Sequence, residues 1–306
     1  MKISVIGAGN VGGLTAMRIA QDNLGEVALI DIAPGMAKGK AFDMMDAAPL
    51  TGVPYEISGS QDIADVKGSG VVVVTAGLAR KPGMTREDLL ARNSEILKGI
   101  CASIRSGAEQ AVVIIVTNPL DVMTWLACRE LGSTGKVFGM GVTLDAARFS
   151  ACIADELNIP STSVKGCVIG SHGEGMLPLP RFTMVNGKPL TETVRDQSRI
   201  DSLCKRTVER GKEIVSLLGS GSAYFAPSAA IWQIVRAVVK DEKAQLAASV
   251  YLKGQYGVND VCLGTPCVIG KAGIEKIIEL PLDEGEKKAF CASADSVKKM
   301  CALLHS

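Results

Sequence analysis

The sequence predicts an α/β protein in which a doubly wound parallel sheet is followed by a second domain of α+β character. Two apolar runs, Val71–Val74 and Val112–Val116, contain no polar position, as is typical of strands covered on both faces. Helical segments alternate with such strands from residue 1 to about residue 140, which favours parallel pairing. Because the regular alternation of strands and helices ends there, we expect one domain over residues 1–142 and another over residues 143–306.

The elements of the first domain follow in a regular order. A strand over Lys2–Ile6 leads through glycines into a helix over Asn10–Gln21, and a second strand follows at Val27–Ile30. A helix is predicted over Pro34–Ala48, because proline is favoured in a first helical turn. The two apolar runs then supply further strands of the same sheet.

The second half mixes both element types without a repeating unit. Its Asn-Gly pair within Val185–Lys188 is typical of a tight hairpin. The other expected elements are a helix at Asp145–Leu157, a strand at Val164–Ile169, a long helical stretch at Thr191–Leu218, a strand at Val261–Ile269 and a closing helix at Asp283–Leu304.

The composition of the 306 residues argues against several classes of protein. Lys and Arg number 33 against 32 Asp and Glu, so no charge excess points to nucleic acid or an anionic membrane. The N-terminus lacks the pattern of a signal peptide, and the longest uncharged stretch, Ile214–Val235, is interrupted by glycines and a proline. Nine cysteines without a Cys-x-x-Cys pair indicate reduced thiols and no metal site. We therefore expect a cytoplasmic protein.

The segment after the first strand, Gly7-Ala8-Gly9-Asn10-Val11-Gly12, fits the pattern G-x-G-x-x-G. In that position the glycines would permit a tight turn, close approach of a pyrophosphate and close packing of helix on strand. Asp31 ends the second strand, where a carboxylate accepts from ribose hydroxyls and repels a 2′-phosphate. The segment predicts a Rossmann-type site for NAD rather than NADP. The alternative is a glycine-rich turn without a ligand.

Histidine occurs at only two positions, His172 and the penultimate residue His305. His172 lies within Gly170–Gly175, a loop of small residues after an expected strand, which would leave its imidazole accessible. A catalytic histidine is one interpretation, and a histidine satisfied within a surface turn is the other.

Four motifs then appear in order along the chain. They are Leu78–Arg86, Thr117-Asn118-Pro119, Leu144–Phe149 and the histidine loop. Together they resemble the lactate/malate dehydrogenase family, over essentially the whole chain and most closely its malate dehydrogenases built on the lactate dehydrogenase plan. The resemblance implies reversible hydride transfer between (S)-malate and NAD, giving oxaloacetate and NADH, within the tricarboxylic acid cycle. It also implies a homodimer or homotetramer.

The resemblance makes His172 the acid/base that exchanges the hydroxyl proton, which suits a group with a pKa near neutrality. Asp145 matches the carboxylate that holds the imidazole in one tautomer, and a helix N-cap is the alternative. Glu174 stands where the family usually has aspartate, and Ser171 where glycine or glutamate is more usual.

Three arginines match substrate-binding positions of the family. Arg148 would grip the C1 carboxylate, Arg86 would polarise the reacting carbonyl, and Arg80 would neutralise the second carboxylate that malate has and lactate lacks. For each of them, a solvated or ion-paired surface arginine is the alternative interpretation.

Asn118 follows a buried strand and matches a residue that contacts both substrate and cofactor, or else it is simply a turn residue before proline. Val116 and Thr117 would then lie near the cofactor. Asn93 matches a further cofactor contact, with an exposed helical position as the alternative.

Two other functions remain open from the sequence. One keeps the chemistry and takes lactate or another 2-hydroxy acid as substrate. The other is a non-catalytic NAD-binding protein, which would have no need for His172, Arg86 and Arg148 together.

Overall fold

A computed structural model of the protein describes residues 1–78, 85–132 and 135–304, with the main chain only at Arg86. In these ranges the strands are β1 (Lys2–Ile6), β2 (Glu26–Ile30), β3 (Ile57–Ser60), β4 (Val71–Val74), β5 (Val112–Ile115), β6 (Val137–Gly139), β7 (Val164–Lys165), β8 (Val168–Gly170), β9 (Met176–Pro178), β10 (Met184–Val185), β11 (Lys188–Pro189), β12 (Ala244–Lys253), β13 (Asn259–Gly270) and β14 (Gly273–Ile277). The helices are α1 (Asn10–Gln21), α2 (Met36–Thr51), α3 (Arg86–Gly107), α4 (Leu120–Leu131), α5 (Val142–Leu157), α6 (Leu190–Thr193), α7 (Gln197–Leu218), α8 (Phe225–Val239) and α9 (Glu284–Ala302).

The strands of the first half form a parallel sheet in the order β3-β2-β1-β4-β5-β6. The order reverses direction between β1 and β4, which confirms the predicted doubly wound arrangement. Ligands of such sheets bind beyond the carboxyl ends of the strands, at this switch point.

The sheet continues into the second half through antiparallel strands. β12 pairs with β6, β13 with β12, and β8 with β13. This extension brings β8 into contact with α5 and α9. β7, β10 and β11 form a separate three-stranded sheet.

The core explains why the apolar runs are unbroken. All four valines of β4 are fully buried, and β5 is almost as completely covered, because helices lie on both faces of the sheet. A second apolar cluster, centred on Phe149 and Leu203, joins α5 to α7. The second cluster holds α7 against the helix that bears Asp145 and Arg148.

The helix expected at Pro34–Ala48 differs at both ends from α2. Gly35 adopts the left-handed conformation (φ 73°) just before the helix, so α2 begins at Met36 and Pro34 lies outside it. The helix then continues through Pro49 to Thr51. The expectation that Pro34 starts the helix is therefore wrong.

Two longer elements expected in the second half are each divided. The strand expected at Val164–Ile169 breaks at Gly166, whose Cα approaches α5 so closely that a Cβ would lie 2.5 Å from the carbonyl oxygen of Ala146. The helical stretch expected at Thr191–Leu218 is interrupted before α7, where the Asp196 side chain caps the new helix by accepting from the amides of Ser198 and Arg199. The Asn-Gly hairpin between β10 and β11 is confirmed.

Within the described ranges, no helix is both long and apolar enough to cross a membrane. Nor do the described His, Cys, Asp and Glu side chains cluster in a way that would hold a metal ion. All nine cysteines are unpaired, and six of them are buried.

Candidate active site

The glycine loop lies between β1 and α1, at the switch point of the sheet. Gly7 has φ 103°, and a Cβ on Gly12 would lie 1.8 Å from the carbonyl oxygen of Gly7, so neither position accepts a side chain. Around Gly9, by contrast, the described chain leaves the space of a Cβ open to 4 Å. The loop is therefore tight where helix meets strand and open where a pyrophosphate would approach the start of α1.

Asp31 stands at the carboxyl end of β2, beside this loop. One carboxylate oxygen accepts from the amide of Ala8 at 2.6 Å and the other from the amide of Ala33 at 2.8 Å. The side chain is thus fixed at the edge of the dinucleotide site, with lone pairs remaining on both oxygens. This geometry fits a carboxylate that accepts from ribose hydroxyls.

The segments that follow β4 and β5 are in direct contact with each other. Thr117 donates to the carbonyl oxygen of Ala76 at 2.7 Å. Gly77 packs against it so tightly that a Cβ would lie 2.5 Å from the Thr117 methyl group. Val116 is half-buried next to this junction, and Asn118 is exposed at its outer end.

Asn93 is fully buried, so the alternative of an exposed helical position is wrong. Its side chain donates to the carbonyl oxygen of Asn118 at 2.7 Å and accepts from the amide of Leu78 at 2.8 Å. Asn93 therefore links the start of the Leu78–Arg86 motif to the end of β5, and its contact with the cofactor stays a prediction.

The predicted acid/base pair comes together across two elements. Nδ1 of His172, in the loop after β8, lies 2.8 Å from a carboxylate oxygen of Asp145 on α5. The second oxygen of Asp145 accepts from Arg148 at 3.3 Å. Asp145 has no exposed side-chain surface, whereas His172 and Arg148 expose 16% and 12% of theirs. One buried carboxylate thus orients both the imidazole and the guanidinium.

Asp145 does not cap α5, because the helix begins three residues earlier with Gly141 at the N-cap position. A Cβ on Gly141 would lie 3.1 Å from the Cβ of His172. The histidine loop therefore packs directly on the start of the helix that carries its partner.

The charges around His172 decide its protonation. Burial alone would lower the pKa of His172, but the charge and hydrogen bond of Asp145 and the charge of Asp121 outweigh burial and the opposing Arg148. The result is a pKa raised above the usual 6.5. The surrounding charges therefore favour the imidazolium, the form that can donate a proton.

His172 and Arg148 line a common cavity of about 480 Å³, a size typical of small-molecule sites. Its opposite wall is α7, through Val208, Gly211 and Val215. Nε of Arg148 is buried and has no hydrogen-bond partner among the described residues. This donor of the guanidinium is therefore unsatisfied among the described residues.

Gly211 makes room for that guanidinium. A Cβ at this position would lie 3.3 Å from Nη1 of Arg148 and 3.6 Å from Nη2. We expect Gly211→Ala to displace the guanidinium and raise KM for a carboxylate substrate roughly tenfold, the equivalent of one weakened charged hydrogen bond. Alanine should also stabilise the helix by up to about 1 kcal/mol. Steady-state kinetics and urea unfolding measure the two effects.

Gly99→Ala is the matched control, because Gly99 is exposed within α3 and an added Cβ meets no heavy atom within 4 Å. That variant should gain similar stability with unchanged KM. Equal KM values in both variants would show that Gly211 is not required for the position of Arg148.

The two unusual residues of the histidine loop face different surroundings. Glu174 forms an exposed ion pair of 2.7 Å with Lys212 at the rim of the cavity. The amide of Ser171 donates to the hydroxyl of Ser293 on α9, and that hydroxyl donates to the carbonyl oxygen of Gly175. Ser293 therefore braces both ends of the histidine loop, while Glu174 contacts α7 away from the imidazole.

Arg80 lies outside the described residues, as does the side chain of Arg86 at the start of α3. Their predicted roles stay predictions. Sequence reasoning also missed Asp121, Ser249 and Gly211. Asp121 offered the clearest signal, since an acidic residue follows Pro119 closely at the carboxyl end of a buried strand.

Comparison with known proteins covers both halves of the chain. Residues 1–139 match the family model described as lactate/malate dehydrogenase, NAD binding domain. Residues 142–304 match the model described as lactate/malate dehydrogenase, alpha/beta C-terminal domain. The chain belongs to the lactate/malate dehydrogenase family. The resemblance seen in the motifs, the fold class and NAD as cofactor are thereby confirmed.

Relatives within the family are similar over nearly their full length. The malate dehydrogenase of Methanosarcina mazei is 46% identical over 300 residues, 98% of this chain and 97% of that protein. The structure of malate dehydrogenase from Salinibacter ruber matches with a TM-score of 0.94 at 39% identity, covering 100% of this chain and 98% of that one.

A lactate dehydrogenase of the family has the same fold. The Cryptosporidium parvum enzyme, solved with lactic acid and nicotinamide adenine dinucleotide, matches with a TM-score of 0.95 at 37% identity, covering 100% of this chain and 98% of that one. The backbone is therefore shared by dehydrogenases of both substrates, and selection between them depends on side chains.

Proposed function

We propose that the protein is an NAD-dependent malate dehydrogenase that catalyses reversible hydride transfer between (S)-malate and NAD, giving oxaloacetate and NADH, as in the tricarboxylic acid cycle. The observation that carries the proposal is the arrangement of His172, Asp145 and Arg148 around one cavity. The full-length similarity to proteins named malate dehydrogenase supports the choice of substrate. A binding protein without catalysis would gain nothing from a buried carboxylate that orients an imidazole.

Proton transfer is assigned to His172. Asp145 holds Nδ1, so Nε2 is the nitrogen that takes the hydroxyl proton of malate and returns it during reduction. Asp145 also stabilises the imidazolium that forms, because its charge lies 2.8 Å away in a buried site.

Substrate carboxylates are assigned to two arginines. Arg148 would hold the C1 carboxylate through its planar fork of donors, and Asp145 fixes the orientation of that fork. Arg80 would pair with the second carboxylate, and Arg86 would polarise the carbonyl. Asn118 would contact both substrate and cofactor from the end of β5.

NAD, when bound, accepts the hydrogen and two electrons that leave the alcohol carbon. The residues that would hold it are those of the glycine loop (Gly7, Ala8, Gly9, Asn10, Val11, Gly12), together with Asp31, Asn93, Val116, Thr117 and Asn118. The open space at Gly9 and the fixed carboxylate of Asp31 fit a dinucleotide without a 2′-phosphate.

Asp31 should make the enzyme prefer NADH. A 2′-phosphate placed beside this carboxylate costs several kcal/mol of like-charge repulsion, so kcat/KM should be at least about a hundredfold higher for NADH than for NADPH. The initial rate of oxaloacetate reduction with each cofactor measures this ratio. Comparable values would contradict the assignment of Asp31.

Arg80→Gln tests the choice of substrate. Losing charged hydrogen bonds of about 1.5–3 kcal/mol each should lower kcat/KM for oxaloacetate by two or more orders of magnitude, with little change for pyruvate. NADH absorbance follows both reactions. Equal losses on both substrates would show that Arg80 does not select the dicarboxylate, and no turnover by the unaltered enzyme at any pH from 6 to 9 would favour the non-catalytic alternative.

The remaining expectations are part of the same proposal. Residues 1–142 would bind the dinucleotide and residues 143–306 the substrate, with the division between β6 and the body of α5. The enzyme would act in the cytoplasm as a homodimer or homotetramer. Size-exclusion chromatography with light scattering distinguishes the two assemblies.

A further inference from the structure

A second buried carboxylate lies behind the histidine and has no part in the mechanism above. Asp121 is in the first turn of α4, only 4% exposed. One of its oxygens accepts from the main-chain amide of His172 at 2.7 Å, and the other accepts from the hydroxyl of Ser249 on β12 at 2.6 Å. The carboxylate therefore connects three separate elements at the point where the histidine loop begins.

The packing around Asp121 is close enough to define one position for these elements. Ser249 is the residue of β12 that pairs with Gly139 of β6. A Cβ on Gly139 would lie 2.4 Å from the hydroxyl of Thr124 and 3.1 Å from the Cβ of Ser249. Glycine at this position allows α4 and β12 to approach each other, which brings the Ser249 hydroxyl to Asp121.

A buried charge is costly unless it serves a purpose or is compensated. Two hydrogen bonds from neutral donors compensate Asp121 only in part, and burial raises its pKa to about 6. The other charged groups at the site are Asp145 and Arg148 on α5 and His172 itself. With His172 protonated and both carboxylates ionised, the cluster carries two negative and two positive charges.

Two thiols, Cys262 on β13 and Cys301 on α9, also lie near Asp121. Burial raises the pKa of Cys301 to about 12 and that of Cys262 well above its ordinary value, so both remain neutral. They therefore do not alter the balance of charge.

We infer that Asp121 is a positioning residue for the proton-transfer site: it holds the main chain of His172 against the start of α4 and places a second negative charge beside the imidazole. α4 begins two residues after Asn118, so the same contact sets the spacing between the end of β5 and the histidine. The inference deepens the proposed function and rests on it for its kinetic consequences.

Three variants separate position from charge. Asp121→Asn removes the charge and keeps an oxygen that accepts from the His172 amide, while its amide group would donate to the Ser249 hydroxyl in the reverse direction. Ser249→Ala keeps the charge and removes one support. Asp121→Ala removes both, and Asp295→Asn, at an exposed position on α9, is the matched control for loss of one negative charge.

The first measurement is an NMR titration of the His172 imidazole, identified by comparison with a His305→Gln variant because the chain has only two histidines. We expect Asp121→Asn to lower the pKa of His172, since an anion that favours the imidazolium is gone, and Asp295→Asn to leave it unchanged. This readout requires no turnover.

The second measurement is the pH dependence of kcat and KM. Asp121→Asn should shift the pH profile of oxaloacetate reduction to lower pH, with a rate about three- to tenfold lower above pH 8. Asp121→Ala should lower kcat on the order of a hundredfold through misplacement of the imidazole, with Ser249→Ala between it and the unaltered enzyme. NADH binding, followed by fluorescence, should be retained in all of them.

An unchanged His172 titration in Asp121→Asn would overturn the charge part of the inference. A kcat within twofold of the unaltered enzyme in both Asp121→Ala and Ser249→Ala would overturn the positioning part. If the unaltered enzyme failed to reduce oxaloacetate, the proposed function would fail, while the titration would still decide whether Asp121 acts on His172.

Discussion

Replacing His172 with glutamine should remove nearly all turnover, with kcat lowered by about 10²–10⁴ in both directions. Proton transfer by a positioned group contributes this much to a rate, and glutamine cannot take up a proton near neutral pH. Glutamine is polar and of similar size, and the buried carboxylate of Asp145 keeps its hydrogen bond from Arg148, so the fold should be preserved. Stopped-flow or steady-state measurement of NADH absorbance gives kcat.

The interpretation depends on showing that the variant still binds its cofactor. NADH fluorescence should titrate as in the unaltered protein, because the glycine loop and Asp31 are separate from His172. His305→Gln is the matched control and should retain full activity. Turnover close to normal in His172→Gln would mean that another group accepts the proton, and the assignment of the acid/base would be wrong.

Arg148→Lys should also have a large effect. Lysine keeps the positive charge but loses the planar fork that pairs with a carboxylate through two parallel bonds. At about 1.5–3 kcal/mol for each charged hydrogen bond, loss of one bond lowers kcat/KM roughly ten- to a hundredfold, and loss of both lowers it further. Most of the change should appear in KM for oxaloacetate, with KM for NADH unaltered.

Arg199→Lys is the control for this substitution. Arg199 pairs with Glu156 at 2.9 Å with its side chain about half exposed, and exposed pairs contribute little. Its kinetics and thermal unfolding should match those of the unaltered enzyme. If Arg148→Lys also matched them, Arg148 would not be the carboxylate-binding residue, and the cavity shared with His172 would need another explanation.

Local patterns predicted a large part of this protein. The four valines of β4 indicated a strand buried on both faces because a parallel sheet covered by helices leaves no polar side. The glycine loop was recognisable because three positions close together in the chain each favour glycine. One allows the tight turn, one lets a pyrophosphate approach the main chain, and one lets the helix pack closely on the strand. The motif around Asp145 and Arg148 was recognised by its resemblance to the family, and its spacing of three positions places both side chains on one helical face.

Errors arose where one local signal competed with another. Pro34 is suited to a helix start, but Gly35 follows it in the left-handed conformation, so the helix begins only at Met36. For Asn93, the alternative of an exposed helical position failed because the segments after β4 and β5 bury its side chain. Asp196 is a strong N-cap within a segment whose charges suggested one continuous helix.

By itself the sequence determined the class of fold, the dinucleotide loop and the identity of the acid/base candidate, because each depends on residues close together in the chain. Only the tertiary structure decided what surrounds that histidine. Asp121 lies 51 residues before His172, and Ser249 lies 128 residues after Asp121. Gly211 lies on α7 and packs against the guanidinium of Arg148, which lies on α5. Contacts at such separations follow from how β12, α4 and α7 pack, and no local pattern records that packing.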